Sequence, residues 1–349
     1  MSDLTAEMRG RWRDAFLDLV PDLEEAIRKS PKHVPCPVHG GKNGFRLYED
    51  FNETGGGVCN TCGAKASGFA ILYWLGVDQP YKLIRQWLTD TGISPIAAVR
   101  PAFVPAPATD WEKQKRSVLR HWQAAVPITE KTPAGRYLLS RGLSLDGIAG
   151  GDLRSHPGLD YWTETGKLGT YPALIGLVKK KGVVVGLHRI YLQPDGSGKA
   201  KLPGDLDPKK LLRCGEMSGG SLRLTEEPEG MGLMGVAEGI ETGLAAHRLY
   251  RVPVRATISA SMMKTVVLPK GLHSLIIFAD KDPPRQHVKT QAILPPAGET
   301  AATALSARAI AEGVDVLVKL PPGPPLGLGD KGIDWNDVLL EKLKHKQAA

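Results

Sequence analysis

Three carboxylates in two short apolar settings carry the first chemical signal. The stretch Gly232 to Ala246 reads GLMGVAEGIETGLAA, and Leu275 to Asp282 reads LIIFADKD. Each apolar run ends on acid: Glu238 in the first, Asp280 and Asp282 in the second. In an open α/β sheet, functional groups gather beyond the carboxyl ends of the strands. Two neighbouring strand ends would therefore bring these acids into one crevice. Carboxylates packed that closely repel each other unless a cation joins them, and all-oxygen ligands suit magnesium or manganese. The expected chemistry is metal-assisted work on phosphate.

Cysteine and histidine supply a second site. Cys36 and His39 form C-x2-H, and after 19 residues Cys59 and Cys62 form C-x2-C. Between the pairs, FRLYEDF alternates like a strand and Gly55-Gly56-Gly57 marks a turn. A hairpin that joins two ligand-bearing turns is the zinc-ribbon arrangement. Three thiolates and one imidazole complete a tetrahedral zinc shell, which leaves no open position and makes the zinc structural. His33 lies outside this spacing. Cys214 stands apart and reads as a small buried residue, so the four cysteines make a poor disulfide framework.

The elements that must position these groups follow from pattern. Trp12, Phe16, Leu17, Val20, Leu23 and Ile27 recur at helical spacing, with Pro21 dividing the stretch. Helices are expected over 70–74 and 81–89, behind the ribbon. The run ISPIAAVRPAFVPAPATD reads as a semi-rigid linker. The resulting divisions are a ribbon domain with flanking helices over 1–92, a linker over 93–110, and a helical and basic α+β region over 111–228. A strand–helix region over 229–322 and a C-terminal segment over 323–349 complete the chain. In the third division, helices over 111–125 and 134–140 precede strands. Basic residues collect on those strands: Lys179, Lys180, Lys181, Arg189, Lys199, Lys201, Lys209, Lys210 and Arg213. Strands over 232–237, 254–259, 275–279 and 315–320 then alternate with helices over 240–249 and 300–312. That alternation implies a mostly parallel sheet with right-handed crossovers. In the closing KGIDWNDVLLEKL, two readings of Asp334 stand side by side, a helix N-cap and a further magnesium ligand.

Bulk properties narrow the function classes. At 349 residues, two or three domains are expected, and 42% hydrophobic content is enough for real cores. No apolar run approaches the length of a membrane span, and the charged N-terminus lacks a secretory core, so a cytoplasmic protein is expected. A formal charge of +8 favours a polyanionic partner. The GSGKA fragment lacks the first glycine and the Ser/Thr of a P-loop, so helicase activity is not expected within this chain.

A strand ending V-A-E-G, a helix and a strand ending A-D-x-D together resemble the TOPRIM domain of primases and topoisomerases. The C-x2-H…C-x2-C ribbon ahead of it looks like that of DnaG-type bacterial primases. The strings YLLSRGL, LRSHPGL, GLHRIYLQPDGSGKA, VAEGIETGLAA and GIDWNDVL are similar to primase-like proteins of phages, plasmids and integrative elements. The resemblance spans roughly Pro35 to Leu340. It implies a TOPRIM Rossmann-like α/β catalytic core with a basic α+β subdomain and an N-terminal zinc ribbon. It implies primer synthesis on a single-stranded DNA template from nucleoside triphosphates, beside a separate replicative helicase. Glu238, Asp280 and Asp282 match the catalytic, magnesium- or manganese-binding acids, and Cys36, His39, Cys59 and Cys62 match the zinc ligands. Arg189, Lys199, Lys201 and Lys210 are the expected phosphate contacts. Lys42 and Arg46, with Phe45 and Tyr48, are the expected template contacts on the ribbon. Two departures stand out. The acid usual four residues after the glutamate is replaced by Thr242, with Glu241 one position earlier. The insert PPRQHVKTQAILPP, bearing Arg285, His287 and Lys289, follows DxD as either a basic loop over the site or plain surface. A TOPRIM nuclease, and a single-strand-binding accessory protein with a decayed acid site, remain the alternatives.

Overall fold

The computed structural model describes residues 4–92, 110–163, 165–204, 206–288 and 291–348. Apart from Asp110, the linker expected over 93–110 lies outside the described residues, as does Lys289. The chain divides into two compact units: Met1–Thr109 with Arg285–Leu294, and Asp110–Pro284 with Pro295–Ala349.

The first unit opens with helices α1 (Leu4–Glu7), α2 (Trp12–Leu19) and α3 (Glu24–Lys29). Pro21 starts a 3-10 turn between the last two, because proline has no N–H to give and suits a first helical position. An antiparallel sheet follows in the order β1 (Val34–Cys36), β2 (Gly40–Leu47), β3 (Gly57–Cys59), β4 (Gly63–Lys65), with α4 (Phe51–Thr54) between β2 and β3. Helices α5 (Gly68–Trp74) and α6 (Pro80–Asp90) close the unit. Its core gathers Trp12, Phe16, Phe45, Leu47, Phe69, Ile71 and Trp87. Gly68 is required there, since a Cβ would lie 2.2 Å from the Trp12 ring.

In the second unit, α7 (Trp111–Gln123) and α8 (Pro133–Ser140) precede an antiparallel sheet. Its strands run in order β5 (Leu153–Thr163), β6 (Gly166–Lys180), β7 (Val183–Tyr191), β8 (Lys209–Arg213). The basic tip between β6 and β7 turns through positive φ at Lys181 and Gly182, as a two-residue hairpin demands. One face packs on Val118 of α7 through Leu159, Tyr161, Leu187 and Tyr191. The opposite face, with Leu174 and Ile190, joins a core shared with the parallel sheet. Buried Asp152 ties the two sheets, taking Lys179 at 2.5 Å and Arg223 through two guanidinium nitrogens at 3.1 Å.

The parallel sheet is built from β9 (Leu222–Arg223), β10 (Leu233–Ala237), β11 (Val254–Ala256), β12 (Ser274–Phe278) and β15 (Asp315–Lys319). Strand order is β15-β12-β10-β11-β9, with β9 alone antiparallel. Helices α9 (Ile240–Tyr250), α10 (Ala260–Thr265), α11 (Ala297–Ala311) and α12 (Trp335–Ala348) cover it. Period-two alternation divides the strands between layers. Met234, Val236, Leu275 and Ile277 meet α10 and α11, while Ala237 and Phe278 meet α9 and α12. The strand expected over 254–259 stops at Ala256, because Ser259 caps α10 by accepting from the Met262 N–H. The three divisions expected over 111–228, 229–322 and 323–349 share this one unit, except for Arg285–Leu294.

That exception corrects the reading of the insert. Residues Arg285–Gln286 (β13) and Ile293–Leu294 (β14) pair as a hairpin that belongs to the ribbon's unit. The Val288 N–H donates to the Val38 carbonyl at 3.0 Å, and Leu294 packs on the first unit's core. The hairpin is a built part of that unit rather than plain surface.

Candidate active site and metal centres

The ribbon places its four ligands as the spacing predicts. Cys36 ends β1 and His39 precedes β2, and Cys59 ends β3 just before the turn carrying Cys62. Gly40 and Gly63 each follow the second ligand of a pair at positive φ, which lets the chain reverse tightly. The ligand atoms of Cys36, His39, Cys59 and Cys62 all lie within 4.8 Å of one another, with His39 Nε2 3.2 Å from Cys59 Sγ. Hydrogen bonds from Cys36 and Cys62 drive the Cys59 thiol far below its usual range, while Cys36 is pushed far above. Three sulfurs so close cannot all ionise without a shared cation. A closed set of three sulfurs and one nitrogen fits structural zinc.

The acids are assembled by strand register. Ala237 of β10 pairs with Phe278 of β12, so Glu238 and Asp280 leave the carboxyl ends of adjacent strands. Asp334 arrives from far along the chain. Lys281 and Ile333 exchange two backbone hydrogen bonds of 2.9 Å, and Trp335 Nε1 donates to the Ala279 carbonyl at 3.2 Å. These bonds bring Asp334 beside Asp280. The two readings of Asp334 are compatible: its Oδ1 accepts from the Asp337 N–H at 2.8 Å as a cap, and it also lines the pocket with Glu238 and Asp280. Asp282 is held slightly apart, where its Oδ2 accepts from Gly298 in the first turn of α11 at 3.2 Å.

Electrostatics mark Asp280 as the pressured member. Burial, then Glu238, Asp334 and Asp282, push its carboxyl up to about 8, and a hydrogen bond from Thr242 draws it only partly back. Its Oδ1 is buried without a hydrogen-bond partner. An orphaned carboxylate oxygen among three further acids fits a hard dication with oxygen ligands. Thr242 therefore stands beside Asp280 where an acid was expected, and it supplies a hydroxyl.

Cations share the pocket with the acids. Its lining includes Glu238, Asp280 and Asp334, the cations Arg141, Lys199 and Lys209, and also His188, Glu241 and Thr242. Lys199 bonds Glu241 at 2.8 Å. Burial and nearby Lys209 hold His188 down to about 4, so its imidazole is neutral at pH 7. Arg141 is fixed from behind, where Asn336 Nδ2 donates to its carbonyl at 2.8 Å.

Of the expected phosphate contacts, the structure brings only Lys199 into this pocket. Arg189 and Lys210 are register partners on the opposite face, where Lys210 Nζ sits 4.1 Å above the Tyr161 ring and Arg189 Nε is buried without a partner. Their immediate neighbours His188 and Lys209 face the pocket instead. Lys201 is exposed outside it. On the ribbon, Lys42 is exposed and Arg46 lies over the Tyr48 ring at 5.7 Å. Phe45 corrects an expectation: it is 0% exposed in the ribbon core, so it cannot stack on a base. Sequence reasoning missed Arg141, which read only as a helix end, and Tyr137 and His188. It grouped Lys209 among the basic residues without singling it out.

Among the described residues, no helix is long and apolar enough to cross a membrane. Residues 233–345 match the Toprim domain family, and residues 31–69 match the zinc-binding domain of primase-helicase. Residues 112–224 match a domain of unknown function. The chain is similar in structure to the primase fragment of the bacteriophage T7 primase-helicase protein, at 13% identity and TM-score 0.35, covering 91% of this chain and 97% of that one. The Aquifex aeolicus primase, in its zinc-binding and RNA polymerase domains, is similar at 12% identity and TM-score 0.41, covering 97% and 84%. A DNA primase domain from Pseudomonas aeruginosa is similar at 13% identity and TM-score 0.39, covering 68% and 78%. The chain carries a Toprim domain within an α/β unit, behind a zinc ribbon of the primase-helicase type.

Proposed function

We propose that this protein is a DNA primase that makes short oligonucleotides on single-stranded DNA by metal-dependent nucleotidyl transfer. The observation that carries this reading is the pocket itself, which gathers Glu238, Asp280 and Asp334 of the Toprim domain with Arg141, Lys199 and Lys209 from the region ahead of it. Glu238, Asp280 and Asp334, with Asp282 nearby, would hold magnesium or manganese. Bound metal would supply neutralisation of triphosphate oxygens and of the departing pyrophosphate.

The chain's own residues account for the rest. Lys199, Lys209 and Arg141 bind the anionic oxygens of an incoming nucleoside triphosphate. A 3′-hydroxyl oxygen attacks the α-phosphorus, the bond to pyrophosphate breaks, and Glu238 accepts the hydroxyl proton. Neutral His188 adds a hydrogen-bonding group without further charge. On the ribbon, Lys42, Arg46 and Tyr48 offer charge and one aromatic face to a single strand. Lys201 and Lys210, outside the pocket, would contact template phosphates, with Arg189 beside Lys210 on the same face. A replicative helicase is the expected partner, and residues 1–349 themselves hold no P-loop.

The test incubates protein, single-stranded template, labelled ribonucleotides and magnesium, alongside Asp280→Ala. Short oligomers that vanish in the variant are expected. Shortening of a labelled template would instead mean a nuclease, and template binding without product would mean an accessory protein.

A further inference from the structure

We infer that Glu241 is a positioning residue that aims Lys199 into the pocket to hold a nucleotide's phosphate, and that it takes no part in holding the catalytic metal. This deepens the primase reading and rests on it.

The sequence leaves Glu241 open to the opposite role, as a displaced metal ligand standing in for the acid missing at Thr242. The structure separates the two. One residue along a helix is a rotation of about 100°. In the first turn of α9, this turns the Glu241 carboxylate away from Asp280 and toward α8 and the loop after β7. There its Oε1 accepts from Tyr137 Oη at 2.7 Å and from Lys199 Nζ at 2.8 Å. The Glu241 side chain is 9% exposed, whereas that of Lys199 is 35% exposed and reaches the pocket. A buried carboxylate thus holds the ammonium of a lysine that stays partly exposed at the pocket.

The charge pattern agrees. Burial raises the Glu241 carboxyl, but Lys209, Lys199 and the Tyr137 hydroxyl more than reverse this and bring it down to about 2. Glu241 is already neutralised by fixed cations, and a metal at the same oxygen would stand against the Lys199 ammonium. The three partners come from α8, the loop after β7 and α9. Their meeting is what brings the basic sheet's lysine to the Toprim acids.

The test measures two affinities on each variant: a fluorescent ATP analogue with magnesium, and manganese alone by its paramagnetic signal. Glu241→Gln is expected to weaken ATP binding about tenfold, as when one charge-assisted phosphate contact is lost, and to leave manganese affinity within about twofold. Lys199→Ala should match it, and the double variant should be no worse than Lys199→Ala. If Glu241→Gln does not fold, Tyr137→Phe replaces it in the same cycle, with a smaller loss of about threefold that again disappears in the Lys199→Ala background. Weakened manganese binding with unchanged ATP binding would overturn the inference, and so would additive losses. Wild-type protein that binds ATP but makes no oligomers overturns the polymerase reading alone. Wild-type protein that does not bind ATP overturns both.

Discussion

The zinc ribbon and the acid pocket of this chain are built on opposite principles. The ribbon's four ligands span 36 to 62, and each pair sits on its own tight turn, so local geometry makes most of the site. The Toprim acids span 238 to 334 and meet only because β10 and β12 pair in one register and Lys281 bridges to Ile333. In the ribbon, a closed set of three thiols and one imidazole is the arrangement in which structural zinc contributes folding energy. In the acid pocket the fold exists first and presses the acids together. The pressure shows as an Asp280 carboxyl raised to about 8. One ligand set is nearly complete in the local sequence, and the other exists only through the fold.

The sharpest way to break that contrast is to remove a ligand from each. Cys59→Ser is expected to lose zinc entirely and to abolish hydrogen-exchange protection of β1 to β4, because apparent zinc-binding energies in such ribbons are about 10–16 kcal/mol. Exchange in the parallel sheet should not change. A zinc-free ribbon that stays protected would show that its core of Trp12, Phe45 and Phe69 suffices without metal. Asp280→Asn should behave in reverse. The protein folds and keeps its zinc, while oligomer synthesis falls at least about a hundredfold, the scale at which even indirect metal-site changes act. Loss of folding in that variant would mean that the acid cluster is structural.

The same contrast explains what could be read in advance. Ribbon ligands repeat a spacing that lies in the sequence itself, and strand ends announce Glu238, Asp280 and Asp282 through apolar runs that stop on acid. Arg141, Tyr137 and His188 gave no such signal. Arg141 and His188 reach the pocket, and Tyr137 reaches Glu241, only through packing between elements far apart in the chain. Lys209 failed for a different reason. In a strand, a one-residue error of register moves every side chain to the other face. The basic run KK at 209–210 gives no hint of which lysine faces inward. The membership of the hairpin after Asp282 in the ribbon's unit was not legible, because nothing in PPRQHVKTQAILPP reveals that the Val288 N–H would donate to Val38.

Proton linkage gives a finer test of the acid pocket. With its native carboxyl near 8 and an unfolded value of 3.8, Asp280 holds a proton in the folded, metal-free protein across that window. The stabilising contribution is present below the unfolded value and is lost as pH rises through the folded one. Metal-free wild type should therefore lose stability between about pH 4 and pH 8 relative to Asp280→Asn. Metal must displace that proton. Manganese affinity should rise by up to about tenfold per pH unit toward pH 8 and then level off. Calorimetric titrations in two buffers of different ionisation enthalpy should show about one proton released near pH 7, and none from Asp280→Asn. Equal heats in both buffers for wild type would mean that Asp280 is already ionised.

The smallest expected effect is the most exacting, because it turns on neighbouring lysines of one strand. Lys209 is opposite Ile190 and lines the pocket, whereas Lys210 is opposite Arg189 and lies over Tyr161 on the other face. Lys209→Ala should raise the nucleotide KM about threefold to tenfold, one charge-assisted contact to phosphate, with little change in template affinity. Lys210→Ala should leave KM within about twofold. If its face follows the single strand, that variant should lower the salt dependence of template binding by a slope of about 0.7, one released counterion. Exchange of the two phenotypes would mean that the β7–β8 register is displaced by one residue. The acid pocket would then take Lys210 as its cation in place of Lys209.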